Sequence, residues 1–407
     1  MHIQCTNGSP IVDMLGHLSP LPLFVVYGPA ELGPAELVTM LKEQDELGLY
    51  HALRLRDRVC HIDLRLPPSI LPKVTALLDG HFPILEHVSL TFSTTSSKDS
   101  ILLTLPKAFL APNLRRLTLP HISPPRRLQL LTSAVSLVKL ELSNIQTSGY
   151  FRPRVLAARL GSLPQLKELY IGFSIPVPRP STERELLGAH GAPVTLTNLK
   201  HLWFRGVSAY LESLVAQIRV PRLERLGVTL FNEIAFVLPH LSYLINITEA
   251  FKIPGVVVSF YHNEVYVTTV HDNSKSRPLS FRIICKPLDW QINCAAQICR
   301  VLIPVLPFVE ILTLRHNYHE TPELRNNAID SAAWHDLLSS FNRVKRLKIN
   351  YPLLGELSCA LQVDEVGSDP GFLPNLRSIH ALDNIFTSFI DARQVVGLPV
   401  QFVKEKW

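Results

Sequence analysis

The chain has 407 residues, of which 47% are apolar and 18% charged. That balance excludes a disordered polymer and fits a globular core. The formal charge of +6, from 40 Lys and Arg against 34 Asp and Glu, is mildly basic and short of that of a dedicated nucleic-acid binder.

Residues 1–18 show no clear period and are expected to be a loose lead-in. Leu21-Pro-Leu-Phe-Val-Val-Tyr27 reads as a short apolar strand. Residues 34–56 carry a helical pattern with Leu37, Met40, Leu41, Leu49 and Leu53 on the apolar side, weakened by Gly48. From there one unit recurs. Its clearest copy is Leu163-Pro-Gln-Leu-Lys-Glu-Leu-Tyr-Ile-Gly-Phe173, in which Leu166, Leu169 and Ile171 stand at i, i+3 and i+5. The last pair has strand spacing. Other copies begin at Val59, Leu85, Leu114, Leu137, Leu199, Leu223, Val309, Val344 and Leu376. The copies lie 23 to 35 residues apart, with one gap of 86. This is the signature of a leucine-rich repeat, whose copies run about 20–29 residues, with room here for a true helix in each. The gap is expected to hide degenerate copies, at Thr248-x-x-Phe251-x-Ile253 and in the apolar strand from Phe281 to Ile284.

Between the strands, helices are expected over 70–79, 126–135, 153–162, 183–189 (capping box Thr182-x-x-Glu185) and 208–219 (Ser208 as N-cap). Residues 92–100 and 174–181 read as loops. Val256–Phe260 and Val265–Val270 read as a hairpin, followed by a polar loop and a helix near 290–305 capped by Asp289. Further helices are expected near 331–340 and 353–362. The expected architecture is an α/β leucine-rich-repeat solenoid, a horseshoe with a parallel concave sheet and outer helices. It spans residues 19–407, with a hairpin insertion near 254–272 and a C-terminal cap near 384–403, where a closing helix precedes a strand at Val400–Val403.

No catalytic motif is present: there is no Gly-x-Ser-x-Gly, P-loop, Gly-x-Gly-x-x-Gly or His-Glu-x-x-His. The chain is therefore read as no enzyme, without cofactor or metal. His316-x-x-His319-Glu320 reads as a polar loop after a strand. Cys5, Cys60, Cys285, Cys294, Cys299 and Cys359 lack framework or Cys-x-x-Cys spacing and read as buried free thiols of a reducing compartment. No run reaches the roughly 18 apolar residues of a membrane span, and the N-terminus has no secretory pattern. The expected address is cytoplasmic or nuclear.

What remains is the inner face of the strands, lined by the residues that alternate with the apolar pairs. These are His61, Asp63, Arg65, His87, Arg116, Lys139, Glu141, Glu168, Tyr170, His201, Trp203, Arg205 and Arg225. The C-terminal half adds Lys252, Arg282, Arg315, Arg346, Lys348 and His380. The three acids all precede residue 170, and seven of the ten Lys and Arg follow residue 200. A concave wall so biased would attract an acidic or phosphorylated partner. Tyr170 and Trp203 are expected to be exposed neighbours about 4.8 Å apart. With His201, Arg205, Arg225, Arg315, Arg346 and Lys348 they form the candidate partner-binding set.

Several stretches resemble a family. They include Ser19-Pro-Leu-Pro-Leu-Phe-Val-Val-Tyr27, Leu53-Arg-Leu-Arg-Asp-Arg-Val-Cys-His-Ile62, Phe151 through Pro178, and Phe204-Arg-Gly-Val-Ser-Ala-Tyr-Leu-Glu212. Others are Pro221-Arg-Leu-Glu-Arg-Leu226, Leu288-Asp-Trp-Gln291 and Phe386-Thr-Ser-Phe-Ile-Asp-Ala-Arg393. The chain is similar in these runs to the F-box/leucine-rich-repeat proteins abundant in mushroom-forming fungi. The resemblance implies a protein-recognition domain, the substrate-binding part of a ubiquitin-ligase receptor. In that family an N-terminal F-box opening with Leu-Pro-x-Glu binds the adaptor Skp1. Residues 1–18 hold no such module, so Skp1 is not expected to bind the chain as given. The other readings are a free-standing scaffold and a binder of nucleic acid or phosphorylated ligands through the basic face.

Overall fold

Each copy of the repeated pattern builds one strand, and the apolar pair of each strand points into a core shared with its neighbours. The computed structural model describes residues 2–4, 21–27, 43–66, 69–92, 110–122, 130–146, 149–174, 192–231, 235–270, 277–285, 288–316, 331–350, 353–361 and 373–405. The chain divides into two compact units, Met1–Gly206 with Ala216–Arg222, and Val207–Val215 with Leu223–Trp407.

In the first unit, β1 (His2–Gln4), β2 (Leu23–Tyr27), β3 (Val59–Leu66), β4 (His87–Phe92), β5 (Arg116–Pro120), β6 (Lys139–Ile145) and β7 (Glu168–Phe173) lie side by side in chain order, all parallel. A two-residue strand β8 (Val194–Thr195) stands apart, and β9 (His201–Gly206) pairs with β7. β10 (Ile218–Arg219) pairs with β8 in a separate ladder. The pairs Ile62/Leu64, Val88/Leu90, Leu117/Leu119, Leu140/Leu142, Leu169/Ile171 and Leu202/Phe204 are at most 1% exposed. Each such side chain stabilises the core by about 1.5–3 kcal/mol relative to exposure. The connecting helices are α1 (Glu43–Arg54), α2 (Leu71–Leu77), α3 (Leu130–Ser133) and α4 (Pro153–Leu160). α4 opens on Pro153, whose missing N–H would have no helical partner in any case.

Two recurring hydrogen bonds hold successive copies in register. The residue after the leading apolar position offers a carbonyl that accepts two consecutive amides of the next copy. Glu86 accepts from Arg115 and Arg116 (2.7 and 2.9 Å), and Arg115 from Val138 and Lys139 (2.8 and 2.9 Å). Val138 accepts from Lys167 and Glu168 (2.8 and 3.0 Å), and Lys167 from Lys200 and His201 (2.9 and 3.0 Å). An Asn just before the leading Leu adds a second tie. Asn113 Nδ2 donates to the Pro83 carbonyl (2.6 Å) and Asn198 Nδ2 to that of Pro164 (2.8 Å).

The second unit begins with α5 (Ser208–Val215) and β11 (Arg225–Phe231), followed by α6 (Pro239–Ile247). Then come β12 (Gly255–Tyr261), β13 (Glu264–Val270) and β14 (Leu279–Ile284). α7 (Leu288–Leu302), β15 (Ile311–His316), α8 (Ser331–Ser339), β16 (Arg346–Ile349), α9 (Leu354–Ala360), β17 (Ser378–Ala381), α10 (Thr387–Val395) and β18 (Gln401–Lys404) complete it. The spatial order is β11-β14-β13-β12-β15-β16-β17-β18. β13 runs antiparallel to β12 and β14, and the remaining pairs are parallel. Where a hairpin is expected near 254–272, there is thus a three-stranded meander laid into a parallel sheet. α7 packs on it, with Cys294, Ala295, Ile298 and Cys299 buried. The same ties recur here: Glu310 accepts from Lys345 and Arg346 (2.8 and 3.0 Å), and Asn375 Nδ2 donates to the Asn342 carbonyl (2.7 Å).

Several expectations change. His2–Gln4, placed in the loose lead-in, forms β1. The supposed copy at Thr248 is a 3-10 turn, Glu249–Phe251, with Phe251 buried. The hidden copy is Ile253-x-x-Val256-x-Val258, because the Pro254 carbonyl accepts the amides of Glu310 and Ile311 (2.7 and 2.9 Å) as the other copies do. The apolar strand from Phe281 falls in β14, parallel to β11. The helix expected over 208–219 stops at Val215, since Gln217 and Arg219 give their carbonyls to Val194 and Leu196 (2.8 Å each). Cys285, Cys294 and Cys299 are buried free thiols, but Cys60 is half-buried and Cys359 exposed. The helix at 183–189, the loops at 92–100 and 174–181 and residues 34–42 lie outside or almost wholly outside the described residues.

Leu169→Asp places an unpaired carboxylate among fully buried side chains and is expected to cost several kcal/mol, on the order of 3–5. Gln165→Asp, at an exposed turn position, is the control. Urea denaturation followed by circular dichroism compares the two, and equal midpoints would mean that Leu169 does not face the core.

Candidate functional site

In the first unit the parallel register turns equivalent positions of successive copies into rows on the face opposite the core. One row runs Phe24, His61, His87, Arg116, Lys139, Glu168, His201. The next runs Asp63, Ser89, Thr118, Glu141, Tyr170, Trp203. At one end of the first row three rings stack: Phe24 on His61 at 5.3 Å, and His61 on His87 at 4.2 Å with planes 6° apart. Burial pushes the His87 imidazole down to about 4, and the neighbouring His61, Arg116 and Lys139 push the same way against Asp63. Between the rows Lys139 pairs with Glu141 at 3.3 Å, and within the first row His201 Nδ1 stands 3.9 Å from Glu168.

At the other end the sequence-named residues meet. Tyr170 and Trp203 are register partners, as are Gly172 and Arg205. The His201 ring meets Trp203 edge-on at 5.4 Å. Gly172 leaves room for the tyrosine, since a Cβ there would lie 3.1 Å from Tyr170 Cε1. Its own burial, and after that the charge of Arg205, hold the His121 imidazole below its ordinary range. Tyr170, His201, Trp203 and Arg205 are all half-buried. The expectation of two freely exposed aromatics is corrected on this point, because in-register neighbours one strand away shield each ring.

In the second unit Arg225, Arg315 and Arg346 are exposed on their strands, and Lys348 is half-buried. The picture of a basic half without acids does not hold. Lys348 Nζ lies 3.3 Å from Glu405, which also stands 3.3 Å from His380. Arg282 Nε donates to Glu264 at 2.6 Å. Lys252 is off the strands altogether and pairs with Glu249. These acids escaped sequence reasoning because Glu264 opens an antiparallel strand and Glu405 follows the last one, so neither belongs to a recurring copy. Tyr266 had a signal: it alternates with Val265 and Val267 in a run that reads as a strand.

Among the described residues no group of three or more His, Cys, Asp and Glu is arranged to hold a metal ion. His316 is tied at its backbone, its amide donating to Asn350 Oδ1 and its carbonyl accepting from Asn350 Nδ2, both at 2.9 Å. His319 and Glu320 lie outside the described residues. No helix among the described residues is long and apolar enough to cross a membrane.

A histidine whose folded-state pKa is depressed takes up its proton more readily in the unfolded chain, so stability falls as pH drops through the interval between the two values. For His87 that interval is from 6.5 to about 4. His87→Gln is expected to flatten the loss of stability over this range, read as the denaturation midpoint against pH. An unchanged slope would place the acid sensitivity elsewhere.

No family model and no curated protein matches the chain. Among solved structures it is similar to the leucine-rich repeat-containing protein LegL7 from Legionella pneumophila, at 12% identity over 97% of this chain and 96% of that one, with a TM-score of 0.30.

Proposed function

We propose that the chain is a leucine-rich-repeat recognition module that binds a protein partner on the open faces of its strands and performs no covalent chemistry of its own. The observation that carries this reading is the cluster of Tyr170, Trp203, His201 and Arg205 on adjacent strands of the first unit. Interface energy concentrates in Trp, Tyr and Arg side chains. Strands whose opposite face is core hold such groups more firmly than loops do. The exposed Arg225, Arg315 and Arg346 of the second unit favour an acidic or phosphorylated partner.

The finer reading, a horseshoe serving as the substrate-binding part of an F-box-type ubiquitin-ligase receptor, is supported by the resemblance of the sequence runs alone. Affinity capture from cells separates the classes. Proteins captured without nucleic acid would favour a recognition module, and RNA or DNA a nucleic-acid binder; Skp1 is not expected on the chain as given, and its stoichiometric capture would overturn that expectation.

With the captured partner in hand, Trp203→Ala is expected to weaken binding by about 2 kcal/mol or more with little change in melting temperature. A variant that melts early but binds normally would make Trp203 a packing residue. Reversing Arg315, Arg346 and Lys348 to Glu should slow association, and added salt should slow the wild type as well. Association that ignores both changes would remove electrostatic steering from the account.

A further inference from the structure

The meander leaves a hollow in the open face of the second unit. Val257 of β12 is flanked in register by Thr268 of β13 and Thr313 of β15, and Ser259 stands in the next row. All four point away from the side covered by α7, yet each is at most 9% exposed. They are short side chains ringed by long ones: Tyr261, Tyr266, Arg277, Arg315 and Lys348 rise around them. The space enclosed is about 270 Å³, a little below the roughly 300–1,000 Å³ of pockets that hold drug-sized ligands. It suits one small group and its immediate attachment.

The chemistry of the lining has one sign. Among the described residues three cations surround the hollow and no carboxylate lines it. The Arg277 guanidinium stands over the Tyr266 ring, 5.8 Å from its centre, a stacking that limits its motion. Glu405 lies 3.3 Å from Lys348. A phosphoryl group, which carries roughly −1.5 to −2 at neutral pH, has the sign that complements this lining. Its tetrahedral oxygens also suit donors that converge from different strands, with guanidinium forks on the rim and the Ser259 and Thr313 hydroxyls on the floor.

We propose that this hollow is an anion site for a phosphoryl group, with the tyrosines of the rim holding the organic part to which it is attached. The proposal rests on the reading that the open face of this sheet meets ligands. The group could arrive on a small phosphate ester or on a phosphorylated side chain of a partner, and the same chemistry would receive both.

Isothermal titration of the full chain with phenyl phosphate and with a phosphotyrosine peptide tests this. Saturable one-to-one binding is expected for at least one probe. Arg277→Gln and Arg315→Gln, both exposed rim positions, should each weaken it about tenfold or more through loss of a charge-assisted hydrogen bond. Arg300→Gln, an exposed cation of α7 on the covered side of the sheet and outside the lining, should leave it within about twofold, the effect of a screened charge across the sheet. Glu405→Gln should tighten binding by freeing Lys348 of its carboxylate. Tighter binding of the peptide assigns the source to a phosphorylated side chain, and tighter binding of phenyl phosphate to a small ester. Absence of saturable binding by both probes, or equal losses from Arg300→Gln and Arg315→Gln, would overturn the site. Partner capture that depends on Trp203 without phosphate binding would sink the hollow alone; phosphate binding without partner capture would sink the recognition reading and keep the hollow.

Discussion

One carbonyl group in most copies sets the geometry on which everything else depends. By accepting two consecutive amides of the next copy, it fixes both the distance and the register between strands that are far apart in sequence. Register in a sheet has period two, so a slip of one residue would turn Leu169 and Ile171 to the open side and Glu168 and Tyr170 to the core. The paired hydrogen bonds oppose that slip at a point just before such a strand begins. The Asn ties at Asn113, Asn198 and Asn375 reinforce it by satisfying carbonyls at the turn, where the chain has no ladder partner.

Fixed register has a chemical consequence. Equivalent positions of neighbouring copies are held about 4.8 Å apart, so each outward row behaves as a one-dimensional array whose members alter one another. Two adjacent histidines become a stacked pair in which protonation of one opposes the other. A Lys two residues from a Glu finds it on the same face. An aromatic beside an aromatic loses part of its solvent exposure. Side chains that look like ordinary surface residues one at a time acquire shifted properties from the row.

How much of this was legible depended on whether the cause was local. The strands at Leu114, Leu166 and Leu199 could be read because three apolar residues at fixed spacing suffice to specify them, and their outward neighbours follow from alternation. The copy at Ile253 could not, because Thr248-x-x-Phe251-x-Ile253 satisfies the same spacing five residues earlier. The distinction lies in the Pro254 carbonyl, which meets Glu310 and Ile311 across a long stretch of chain. The pairing of Arg282 with Glu264, that of Lys348 with Glu405, and the short floor of the hollow likewise arise from strands that topology, not sequence, brings together. The meander is half legible: its two valine-rich strands are evident, while its third reads as a separate copy.

That meander also imposes an order of assembly. Elsewhere in the second unit each strand from β16 to β18 can dock on the one made before it, as in any linear array of repeats. β14, however, takes its place beside β11 only after the chain has travelled out to β12 and back along β13. Until Ile284 has been synthesised and placed, β11 presents on that side an open ladder of amides and carbonyls flanked by Leu226, Val228 and Leu230. An apolar edge waiting for a distant strand is both slow to close and prone to capture by another chain. The segment that shapes the hollow is therefore also the slow and vulnerable step in the folding of its unit.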